Sequence, residues 1–164
     1  MTRRLVYGFI FLASAALTVG FWRIELVPAV LAVALAGFVW VFFQARGAAW
    51  VSSLMFFVFA FASAAAIYVD VHPWLSFTSL SASLVAWDLT HFSRRLSLVG
   101  DVADAKRVER VHFGRVALVV GLGALGYFVT QETHINLTFA SAAILAFLAV
   151  WGISALISSL RKRE

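Results

Sequence analysis

Six apolar stretches, separated by short polar breaks, constrain this chain more than anything else in it. They lie at roughly 5–22, 26–43, 48–69, 74–92, 113–130 and 135–160. A helix needs about 20 residues to cross the hydrocarbon of a bilayer, and in that medium every backbone polar group must be satisfied within the protein. Helices meet that demand locally. The expected fold is therefore all-α, a polytopic membrane helix bundle of six transmembrane helices forming a single transmembrane domain over 1–164.

Composition supports lipid as the solvent. The 164 residues are 63% hydrophobic and 13% charged, against about 25% charged in an average soluble domain. A soluble fold this small has too little interior to hide that apolar surface. There is no cysteine, so thiolate metal sites, disulfides and cysteine nucleophiles are excluded. The net charge of +5 could suggest nucleic acid, but no soluble basic segment is long enough to bind it.

The position of the positive charges sets the expected topology. With the N-terminus in the cytoplasm and six crossings, every one of the 13 basic residues except Arg23 falls on the cytoplasmic side. That asymmetry follows the positive-inside rule and places both termini in the cytoplasm of a cell (inner) membrane. A cleavable leader ending near Ala13-Ser14-Ala15 is the rival for the first span. Its apolar core would be short, and its loss would leave an odd number of crossings. The segment 93–112 is the one long cytoplasmic loop; Asp101 and Asp104 suit a helix start within it. Its basic surface suits anionic lipids.

The hairpins expected outside resemble one another. "HPWLSFTS" at 72–79 aligns with "HINLTFAS" at 134–141, each with an acid two residues before its histidine. Glu25 supplies an acid to the first hairpin, but without the histidine.

The stretch "LVAWDLTHFSRRL" at 84–96 holds the first residues that could carry chemistry. Phe77, Ser81, Leu84, Asp88, His91 and Arg95 share one helical face. Glu109, His112 and Arg115 face the same level from the next helix. These six polar groups, Asp88, His91, Arg95, Glu109, His112 and Arg115, are expected to cluster at the cytoplasmic end, with Asp88 paired to His91 or to an arginine from another inner loop. A relay or ion-coupling role for Asp88 is the alternative.

The two acid-x-x-His pairs also have the spacing found in di-iron carboxylate bundles, but the further bridging carboxylates are missing. His72 and His91 stand 19 residues apart on one helix, or about 28 Å. Both then lie at membrane edges, which argues against a haem or other tetrapyrrole held by bis-histidine ligation. No cofactor is expected. Asp70, His72, Glu132 and His134 form a possible outer metal or polar site.

Two further patterns have structural readings. "GLGALG" at 121–126 lies inside a span with no preceding strand, so its glycines and Gly114 are expected to permit close helix packing. Ser76, Ser79, Ser83 and Thr90 make a polar stripe on the fourth helix, which glues helices together or lines a permeation path.

These features favour a non-catalytic accessory or structural subunit that contacts other membrane subunits or self-associates into an oligomer. A small transporter or channel coupled through Asp88 is the first alternative, and a redox or metal-binding membrane protein using the four histidines the second.

Overall fold

A computed structural model describes residues 2–99 and 105–133. The sixth apolar stretch, His134, the basic tail and the segment 100–104, with Asp101 and Asp104, lie outside the described residues. Five helices follow in order: α1 (Thr2–Arg23), α2 (Val27–Ala45), α3 (Ala49–Tyr68), α4 (Pro73–Val99) and α5 (Ala105–Thr133). Among the described residues the fold is all-α. The described residues fall into two units, one ending at Ala117 and one beginning at Leu118.

In the first unit, α1 packs on α2 and α4, and α3 packs on α2 and α4. The four antiparallel helices therefore close a ring in sequence order. The most extensive interface joins α1 to α4. Val6, Ile10, Ala13, Leu17 and Phe21 form the buried stripe of α1, at the i, i+3, i+4 spacing of one helical face. Trp40 of α2 is fully buried, its ring 5.4 Å from that of Phe59 on α3. Close approach depends on two glycines. A Cβ at Gly37 would overlap the Ser14 hydroxyl, and one at Gly20 would come within 2.6 Å of a Val71 methyl. Of the four glycines expected to play this part, Gly114, Gly121 and Gly126 have no described atom within 4 Å of such a Cβ.

The three tight turns of this unit share one construction. Glu25, Gly47 and Asp70 have φ of 58°, 75° and 61°, the left-handed conformation that ends a helix in a Schellman motif. In each turn the following amide reaches five residues back: Leu26 to Phe21, Ala48 to Phe43, and Val71 to Ala66, at 3.0, 3.1 and 3.0 Å. Pro28 and Pro73 then open α2 and α4, where a missing N–H costs nothing. The sequence likeness of 72–79 to 134–141 has its second half outside the described residues. A different pairing is visible instead: "RIELVP" and "YVDVHP" build the α1–α2 and α3–α4 turns alike.

Among the described residues four helices are long and apolar enough to cross a membrane: Arg4–Arg23, Val27–Ala45, Trp50–Tyr68 and Glu109–Val129. Large apolar side chains such as Phe11, Phe38, Phe57 and Phe61 are exposed on the bundle, a surface suited to lipid rather than water. By length and composition this is a multi-pass membrane protein. The expected span at 74–92 is not among the four. At 27 residues α4 is long enough, but serines, Asp88 and His91 dilute its hydrophobicity. It also continues to Val99, so the first part of the polar segment 93–112 is helix rather than loop.

A polar cluster where α4 meets its neighbours

The second half of α4 carries polar side chains toward three other helices. Nearest α2, Gln44 Nε2 donates to Thr90 Oγ1 at 3.1 Å, and that hydroxyl donates to the Ala86 carbonyl at 2.8 Å. Toward α3, Trp87 Nε1 donates to Ser53 Oγ at 3.1 Å. Ser53 Oγ stands 3.4 Å from His91 Nε2, and His91 Nδ1 stands 2.9 Å from the Trp87 carbonyl. A carbonyl can only accept, so Nδ1 carries a hydrogen, and in the neutral ring Nε2 accepts from Ser53. The indole, the hydroxyl and the imidazole thus form a closed circuit in which each polar atom has a use.

Asp88 faces another way. Its Oδ2 lies 2.7 Å from His112 Nε2 on α5, within ion-pair range. Both atoms are buried, and the contact has ion-pair distance without hydrogen-bond alignment: neither atom has a hydrogen-bond partner among the described residues. The His112 ring also stacks on Phe92, with centroids 3.9 Å apart and planes 2° from parallel. The imidazole therefore lies between a carboxylate and an aromatic face. Trp87, Asp88, His91, Phe92, Arg95 and His112 line a half-open cleft of about 170 Å³.

The structure accordingly brings together four of the six residues expected to cluster: Asp88, His91, Arg95 and His112. Asp88 pairs with His112 across the helices, and not with His91 one turn along. His91 is occupied by Ser53 and Trp87. Arg95 lines the cleft, whereas Glu109 and Arg115 flank His112 on α5 without lining it. Gln44, Ser53 and Trp87 were not singled out in the sequence. Only Gln44, as a lone amide closing an apolar run, gave any signal.

The possible outer site is not assembled within the described side chains. Asp70 is exposed in its left-handed turn. His72 is exposed, and its Nδ1 accepts from the Trp74 backbone N–H at 3.3 Å, capping the start of α4. Glu132 closes α5, but its side chain and His134 lie outside the described residues. Among the described residues no group of three or more His, Asp or Glu could hold a metal ion.

Comparisons with protein families, with curated proteins and with solved structures return no match.

Proposed function

We propose that the chain is a six-span protein of the cell (inner) membrane, with both termini cytoplasmic, acting as a non-catalytic accessory or structural subunit of a larger membrane assembly. One observation carries this reading: the polar groups around the second half of α4 bind helix to helix. Gln44 ties α2 to α4, Ser53 ties α3 to α4, and Asp88 ties α4 to α5. Polar side chains in this role act as glue between membrane helices. The outward faces, rich in exposed Phe and Leu, remain for lipid and for neighbouring subunits or a second copy. The basic residues about 93–112 suit anionic headgroups on the cytoplasmic side.

Under this reading α4 crosses as the bundle's least apolar member, with α1 and α3 covering its polar face. The asymmetry of the basic residues supports the orientation. Reporter fusions after residues 46 and 98 are expected to be cytoplasmic, and those at 24 and 71 external; an external signal after 98 overturns the topology. Native mass analysis after gentle extraction is expected to find the chain with other membrane subunits or with itself. A stable monomer under those conditions, active alone in substrate uptake, overturns the subunit reading in favour of a transporter.

A further inference from the structure

The cleft between α4 and α5 keeps two polar groups open after its internal contacts are made. Asp88 Oδ2 is buried against His112, so the 33% exposure of the Asp88 side chain leaves Oδ1 as the acceptor facing the opening. Arg95 is exposed, lines the same cleft, and makes no ion pair or hydrogen bond among the described residues. His91 and Trp87 offer their rings rather than their nitrogens, which the Trp87 carbonyl and Ser53 already occupy. Asp88 and Arg95 stand seven residues apart on α4, about 10.5 Å along the axis. Long helical side chains lean toward the N-terminus, so Arg95 leans toward the carboxylate.

This pattern selects among ligands by charge. A simple anion pairs with Arg95 but faces Asp88. A simple cation pairs with Asp88 but lies beside Arg95. Like charges set together in this way oppose binding. A zwitterion satisfies both ends: the guanidinium forks onto phosphate oxygens, while a primary ammonium donates to Oδ1 and lies against the aromatic rings. At about 170 Å³ the cleft is smaller than the roughly 300–1,000 Å³ that encloses a drug-sized molecule. It suits a small headgroup whose remainder stays outside. From Pro73 α4 rises about 22 Å to Asp88 and about 33 Å to Arg95, so the two straddle the inner edge of a hydrocarbon layer about 30 Å thick. Phospholipid phosphates begin at that level.

We propose that the Asp88–Arg95 cleft binds the phosphoethanolamine group, presented as the headgroup of an aminophospholipid in the cytoplasmic leaflet. Arg95 holds the phosphate, and Asp88 selects the ammonium. Such a site differs from the basic surface about 93–112, which favours lipids of greater negative charge. The headgroup chemistry rests on the cleft alone, and its presentation by lipid rests on α4 crossing as in the six-span reading.

The test titrates purified full-length protein in detergent with one ligand at a time, using native mass spectrometry for lipids and calorimetry for soluble phosphoethanolamine. Phosphatidylethanolamine is expected to bind at least tenfold tighter than phosphatidylcholine, whose quaternary ammonium has no N–H. It should exceed phosphatidic acid, which has no ammonium, by a similar factor. Arg95→Ala should weaken binding tenfold or more with the unfolding midpoint unchanged. Arg115→Ala, which removes the same charge outside the cleft, should not. Asp88→Asn should bring phosphatidylethanolamine and phosphatidic acid to equal affinity, a change of preference that a loss of packing does not produce. Equal binding of the three lipids by the wild type, or an equal loss in Arg115→Ala and Arg95→Ala, overturns the proposal. Binding of soluble phosphoethanolamine without the lipid overturns the lipid source and keeps the cleft. Because the chain has no cysteine, His72→Cys and Arg94→Cys report crossing when labelled with an impermeant maleimide in liposomes. Labelling from the same side overturns the six-span reading, whereas labelling from opposite sides with no headgroup preference overturns the cleft alone.

Discussion

Asp88 shares its cleft with three basic side chains, His91, Arg95 and His112, and its partner is the one on another helix. His91 is held by Ser53 and by the Trp87 carbonyl, so it is not free to turn toward the carboxylate. Asp88→Ala removes the carboxylate facing the buried His112 Nε2 and is expected to cost about 0.5–3 kcal/mol, the usual range for a substitution that removes a partly buried contact. Asp88→Asn keeps an acceptor oxygen and should cost less. Arg95→Ala, which removes an exposed side chain, should stay within about 0.5 kcal/mol. Unfolding titrations in mixed micelles would rank the three, and an Arg95→Ala loss equal to that of Asp88→Ala would show that Asp88 relies on the arginine. Sequence reading identified Asp88 and His112 as site residues but not their pairing, because a helical face gives only the neighbours along one helix.

The turns explain how four of these helices are set side by side. Two of the three left-handed positions are Glu25 and Asp70, where a Cβ-bearing residue costs roughly 1–2 kcal/mol relative to a right-handed conformation. Glycine avoids that cost but enlarges the unfolded ensemble, so Glu25→Gly and Asp70→Gly are expected to be neutral or stabilising by up to about 1 kcal/mol. Gly47→Ala should lose about 1 kcal/mol or more for the same reason. A clear loss from Asp70→Gly would mean that the carboxylate matters beyond the turn. Gly37 has a different requirement, since a side chain there meets Ser14 across the α1–α2 crossing. Gly37→Leu should therefore separate these helices and lower the unfolding midpoint more than Gly8→Leu, a position where a Cβ meets open space. The acids and prolines of the turns were legible as breaks. The shared Schellman geometry was not, because a positive φ at Glu or Asp runs against local preference and is held by the helices on either side.

For the whole molecule, α4 is the helix that composition by itself undervalues. It is absent from the four segments apolar enough to cross alone, yet it has the most extensive packing in the first unit, against α1. A host segment carrying residues 73–92 alone is expected to insert into membranes less efficiently than one carrying 50–68, because Asp88 and the serines raise the transfer cost. Supplying α1 to α3 in the same chain should restore insertion. Equal insertion of the two isolated segments would show that α4 needs no cover from its neighbours.

The sequence by itself determined the helical class, the membrane as solvent and the places where the chain turns. Each follows from short-range rules: a fixed hydrocarbon thickness, a backbone that must bond within itself, and residues that cannot continue a helix. The tertiary structure decided that α4 joins α1 and α3, that Ser53 occupies His91, that Asp88 reaches His112, and that Ser76 and Ser79 lie buried. Among the described residues those outcomes depend on how far antiparallel helices are shifted and rotated against one another. Shift and rotation are set by many small packing contacts at once, and no single motif encodes them.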